Sequence, residues 1–270
     1  MNFKHVILRL LGFRKPPPKT KAGKVFRVLD RALTVLALCY LPLILYPQVL
    51  FGYSLHHNGI TLYAREPIPD QALRVLEDAR KDLKSSALLE KDDHFRVFLC
   101  DSKAVFWLMS PLAPFAFASS YPINDNIMVA RADVAANTAR TYRTTNTRML
   151  SDVIAHECGH VLIARRLGRH TAYVKPSWVQ EGYCEYLAGS STVGDERGDA
   201  WIRGEWTGEG VPLDYHLWRR MVEYLITQES GDIQQLIRAP PEYSDVLAKT
   251  RNWISNRSTL PNKPDAGDGK

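Results

Sequence analysis

The sequence has few cysteines and no internal repeat, and its globular part carries no excess of positive charge. Four cysteines in 270 residues cannot make a disulfide framework. Cys39 lies in an apolar run, which leaves Cys100, Cys158 and Cys184 in the remainder, an odd number that implies at least one free thiol unless chains pair. The absence of repeats excludes a solenoid. The formal charge of +6 and a pI near 9.1 suggest a nucleic-acid partner until the charge is located. Nine basic residues stand against one acid before residue 32, a local charge of +8, so everything that follows nets −2. No nucleic-acid partner is therefore expected, because the basic excess is a terminal cluster and no stripe on a folded domain.

That cluster borders a strongly apolar run, residues 32–51, twenty residues without Asp, Glu, Lys or Arg. The length fits a transmembrane anchor. Pro42 and Pro47 would kink or end such a helix, and an ordinary buried helix or a cleavable signal peptide would share part of the pattern. The long basic region and the lack of a small-x-small site near Gln48 to Ser54 favour an uncleaved anchor. The basic side is expected to stay in the cytoplasm, against anionic lipid, with the rest of the chain periplasmic or extracellular at the plasma (inner) membrane. The expected organisation is a basic cytoplasmic segment (1–31), a transmembrane anchor (32–51), a catalytic domain (52–256) and a disordered polar tail (257–270).

Within the domain, the most informative segment is Leu150 to Ala164, which contains His156-Glu157-Cys158-Gly159-His160. Apolar residues recur at helical spacing through Leu150, Val153, Ile154, Val161, Leu162 and Leu167. Thr144 or Thr145 are candidate caps before this helix and Gly168 a candidate stop. Two histidines four apart lie on one helical face, so both imidazoles can reach one ion while Glu157 stands beside it. Burying these polar groups on an apolar face is costly without a partner, and a metal ion supplies one. A third ligand is expected from the run Pro176 to Ala188. Ser177 followed by Gln180 has the form of a capping box, which starts a helix near Trp178 and puts Glu181 in its first turn. The intervening residues are enough to return the chain alongside the first helix, so two antiparallel helices would close the site.

His156-Glu157-x-x-His160 followed by Trp178, Glu181, Gly182 and Tyr186 resembles the gluzincin zinc metallopeptidases, and within them the small peptidase MA-like group. The resemblance is strongest over residues 150–188. It implies an α+β, zincin-like domain of the thermolysin type, with a small mixed sheet and a helical C-terminal lobe after about Thr144. It also implies one zinc ion held by His156, His160 and Glu181, Glu157 as the general base acting on water, and a peptide or protein substrate. Glu185, one turn beyond Glu181, would hold a ligand imidazole from behind. Two other readings of Glu185 stand beside this: a surface glutamate, or the third ligand in place of Glu181. Tyr215, His216 and Tyr224 are candidates for an oxyanion donor, with Tyr215 preferred. Cys158 and Cys184 could pair outside the cytoplasm, or each could be a small buried residue, which is preferred.

The scaffold is read as a strand over 59–63, a helix over 70–83, strands over 94–99 and 127–130, and helices over 214–226 and 233–237. The resemblance makes residues 126–130 the edge strand that pairs with extended substrate. Residues 109–122 are either a loop near the cleft or packed coil. Two further function classes fit the same residues: an inactive metal-binding scaffold of the cell envelope, and a zinc hydrolase of a non-peptide bond.

Overall fold

The structure is a computed structural model that describes residues 20–121, 124–174, 177–190 and 192–258. The chain falls into two compact units, residues 1–51 and 52–270.

Among the described residues, the first unit contains the α-helix α1 (Lys21–Leu45), capped by Thr20, whose hydroxyl accepts from the Gly23 N–H at 3.1 Å. It is long and apolar enough to cross a membrane by length and composition. It begins eleven residues before the expected span, so that Lys21, Lys24, Arg27 and Arg31 ride on its first turns. It also stops earlier, at Leu45, because Tyr46 precedes Pro47 and is pushed out of helical backbone. Residues Pro47–Leu50 form a separate 3₁₀ turn. Pro42 stays inside the helix.

The second unit is a mixed α+β arrangement. Strands β1 (Tyr53–His57) and β2 (Ile60–Ala64) form a hairpin closed by Asn58 and Gly59, both with positive φ, the backbone of a type I′ turn. Helix α2 (Ala72–Leu83) then crosses over, burying Ala72, Val75, Leu76, Ala79 and Leu83 along one helical stripe. It delivers the chain to β3 (Phe95–Leu99), parallel to β2. After the short helix α3 (Lys103–Met109) come β4 (Ala118–Ser120) and β5 (Asn126–Val129). The sheet order is β1-β2-β3-β5-β4, with β5 parallel to β3 and β4 antiparallel to β5.

This order overturns the expected edge. Residues 126–130 lie inside the sheet, and all four residues of β5 are buried, as a strand covered on both faces should be. The edges are β1 and β4, and the one beside β5 is β4, which falls within the stretch 109–122. A second sheet of three short antiparallel strands follows: β6 (Arg131–Asp133), β7 (Thr138–Arg140) and β8 (Thr147–Met149).

Strand β8 runs directly into α4 (Leu150–Leu167), with Met149 in extended backbone at the cap and no side-chain cap bond, so neither Thr144 nor Thr145 caps this helix. Gly168 ends it with φ of 93°. Helix α5 (Arg169–Val174) fills the return, and α6 (Trp178–Ala188) begins where Ser177 accepts from the Gln180 N–H at 3.3 Å. Helices α7 (Asp195–Arg203), α8 (Val211–Thr227), α9 (Ile233–Arg238) and α10 (Tyr243–Ser258) complete the chain. The expected tail boundary at Arg257 falls within α10, and residues 259–270 lie outside the described residues.

The main core runs continuously from the sheet through α2 to α4 and α6, so the strand-bearing and helical parts share one interior. A smaller cluster around Leu217, Met221 and Ile254 joins α8 to α10.

Candidate metal centre

Three partner pairs fix how α4 and α6 run. Along α4, Asp152, His156 and His160 meet Ser190, Glu185 and Glu181 respectively, so one number rises as the other falls and the helices are antiparallel. The close approach depends on glycine. A Cβ on Gly159 of α4 would lie 2.9 Å from Cys184 Sγ, and one on Gly182 of α6 would lie 2.3 Å from the Trp218 carbonyl oxygen of α8. Helix α6 is thus wedged between α4 and α8.

The wedge brings Glu181 to both histidines. Its Oε2 lies 3.6 Å from His156 Nε2 and 3.5 Å from His160 Nε2. One donor atom from each of the three residues falls within 4.8 Å of the others. These separations can be set against two readings. A charge-assisted N–H···O bond would draw nitrogen and oxygen to about 2.8 Å. Donors about 2.1 Å from a tetrahedral ion lie about 3.4 Å apart. The two Glu181 separations are longer than such a bond and close to the spacing of donors around an ion, and the group could hold a metal.

Behind the donors, Glu185 is fully buried, with Oε1 3.0 Å from His156 Nδ1. Arg148 of β8 grips the same carboxylate with Nη1 at 2.7 Å and Nη2 at 3.1 Å. Burial alone would raise the Glu185 pKa, but His156 and Arg148 hold it down at about 2. Glu181 shows the same balance: burial opposes its charge, yet His160, His156 and a hydrogen bond from Tyr215 lower it to about 2. On the far side, Cys184 is hydrogen-bonded to His160, and burial lifts its thiol to about 11. Cys158 and Cys184 are both buried free thiols.

The donors face a cleft of about 760 Å³. Glu157 lines it beside His156, and the edge strand β4 and Tyr215 contribute its walls. The Tyr215 ring centroid is 6.3 Å from that of His156. Burial, then the charge of Glu181, keeps the phenol protonated well above its usual range. The other two expected oxyanion donors are elsewhere. His216 is buried against Gly198 with Nε2 2.9 Å from Asp199 Oδ1, and Tyr224 donates to Glu229 at 3.2 Å.

The structure places His156, Glu157, His160, Glu181, Glu185 and Tyr215, the six site residues expected from the sequence, on one cleft. Sequence reasoning missed Arg148 and the role of Cys184, which join the site across segments that no local period connects. It also missed Asp152, one turn before His156 on the same face, which accepts from the hydroxyls of Ser151 and Ser190. Helical spacing of four from His156 was a signal that could have found it. No protein-family model matches this sequence, and no curated protein matches it.

Proposed function

We propose that this chain is a membrane-anchored zinc metallopeptidase with a zincin-like catalytic domain, as its likeness to the gluzincins suggests. The observation that carries the reading is the spacing of the three donors, two imidazole nitrogens and one carboxylate oxygen, with Glu157 in the same cleft. A nitrogen and oxygen donor set of three residues is the pattern of catalytic zinc, with one position left open.

Zinc held by His156, His160 and Glu181 would supply Lewis-acid polarisation of a carbonyl and a lowered water pKa. The remaining work belongs to the chain. Glu157 takes a proton from the attacking water and returns it to the leaving amine nitrogen, so its carboxylate is regenerated in each cycle. Tyr215 donates its phenolic proton as a hydrogen bond to the developing oxyanion. The free edge of β4 offers backbone N–H and C=O groups to an extended substrate. Arg148, through Glu185, holds the His156 ring in one orientation.

Helix α1 serves as the anchor. Its basic start sets the N-terminus in the cytoplasm and the catalytic domain on the periplasmic or extracellular side.

The test uses the full chain in detergent or vesicles. Metal analysis is compared between wild type and Glu157→Gln, and both are offered a mixed peptide library. One zinc per chain in both, with cleavage by wild type alone, supports the peptidase. Zinc in both with cleavage in neither favours the scaffold reading, and hydrolysis of esters or amides but no peptide favours the non-peptide hydrolase. Absence of zinc from both would overturn the proposal.

A further inference from the structure

Residues 102–122 carry a single charge, Lys103, and no acid. Helix α3 begins this stretch with Lys-Ala-Val-Phe-Trp-Leu-Met. Phe106 and Met109 point into the core and are fully buried. A helix on an aqueous surface should be polar on its other face. This one is not: Trp107 is 39% exposed and Leu108 44%, and beyond the helix Leu112 is 95% and Phe115 49% exposed. All four lie within nine residues, and the two aromatic rings among them are held together. Trp107 Nε1 donates to the Pro114 carbonyl at 3.0 Å, and the Trp107 and Phe115 rings meet edge to face at 6.0 Å. Cations border it: Lys103 Nζ sits 4.4 Å from the Trp107 ring centre and the Arg143 guanidinium 5.3 Å from that of Phe115.

We propose that this patch docks the domain on the interfacial layer of the bilayer that α1 enters, an inference that rests on the anchor reading above. Three observations select lipid as the occupant. First, α1 ends at Leu45 and β1 begins at Tyr53, so the link between them reaches at most about 29 Å even if fully extended. The domain is confined to the membrane surface. Second, tryptophan with neighbouring aliphatic, aromatic and basic side chains is the composition that favours the headgroup boundary. Third, the exposed area of the four side chains is on the order of 450 Å², about half of what each partner in a stable protein pair buries. It is too small for a protein partner, and a bilayer requires no minimum area. Phe115 belongs both to the patch and to the cleft wall that leads into β4. The cleft therefore opens beside the lipid surface, which suits polypeptide substrates that are themselves tethered to the membrane.

The test uses the full chain with Cys39→Ser, the other three cysteines being buried. An environment-sensitive fluorophore is placed at Leu112→Cys, or for comparison at Tyr46→Cys at the end of α1 or at Glu77→Cys on the exposed face of α2. Each is reconstituted in vesicles of phosphatidylethanolamine and phosphatidylglycerol, with and without lipid brominated near the headgroup. The expected result is loss of about half the emission at positions 46 and 112 with little change at 77. Quenching at 46 with position 112 behaving like 77 would overturn the docking and leave the anchor standing. No quenching at either 46 or 112 would overturn both. A blue shift at 112 that is indifferent to bromine and grows with protein concentration would assign the patch to a second copy of the chain, and so also overturn the proposal.

Discussion

Arg148 holds Glu185 through two parallel hydrogen bonds, 2.7 Å and 3.1 Å long, and the same carboxylate lies 3.0 Å from His156 Nδ1. On the proposed function, one cation would orient a metal-binding imidazole through an intermediate carboxylate. Replacing Glu185 by Gln should weaken zinc binding by about 10- to 100-fold in competition with a chromophoric chelator. Arg148→Met should do something different. It leaves a fully buried carboxylate without its cation, and unfolding in urea should register a loss of about 3 kcal/mol. Unchanged zinc affinity in Glu185→Gln would remove the positioning role from this pair.

Among the described residues, Tyr215 is the one aromatic hydroxyl that both lines the cleft and reaches Glu181. Tyr215→Phe keeps the ring and removes the donor. The turnover number should fall about 100-fold with KM nearly constant and zinc stoichiometry intact. A rise in KM alone would mark Tyr215 as a substrate contact only.

Gly182 is where α6 touches the backbone of α8. A methyl group there would meet the Trp218 carbonyl oxygen at 2.3 Å and its carbon at 2.7 Å, and neither can rotate away. Gly182→Ala should cost more than about 2 kcal/mol by chemical denaturation. At Gly159 the obstacle is the Cys184 side chain at 2.9 Å, which can give, so Gly159→Ala should cost about 1 kcal/mol. Equal costs at the two sites would contradict the wedge.

Asp82, at the end of α2, has its pKa raised from 3.8 to about 6, first by burial and then by the charges of Asp152 and Asp78. A carboxyl whose folded pKa lies above its unfolded value destabilises the fold when ionised, and that penalty disappears as the pH falls from about 6 through 3.8. Asp82→Asn should therefore gain about 1 kcal/mol at pH 7, after allowance for solvent screening of a half-exposed group. Near pH 3.5 the gain should vanish. Thermal melts of both proteins across this range check the sign.

The parts of the site that could be read from the sequence are those ruled by helical spacing. His156, Glu157 and His160 share a face because they sit on one helix, and Ser177 with Gln180 announces the start of the next, which places Glu181 in its first turn. Links between distant segments had no such rule. Arg148 and Glu185 are 37 residues apart, and a strand of three residues such as β8 is too short to show alternation. The same shortness hid β4, whose Ala-Ser-Ser run looks like loop. The misplaced edge had a physical signal: Asn-Ile-Met-Val carries apolar residues on both faces, which marks an inner strand. Helix α10 escaped notice because Val246 and Ile254 are among the few side chains it buries within a largely polar sequence.

Helix α6 is clamped by backbone and side-chain contacts at Gly159 and Gly182, so the Glu181 carboxylate is positioned by steric fit and does not depend on what it ligates. Sites that the ion itself assembles lose their fold when chelated. Here an ion held by His156, His160 and Glu181 is expected to leave and return while the backbone stays in place. On the proposed topology, loading then becomes a question of metal supply on the far side of the membrane, and need not be completed during synthesis.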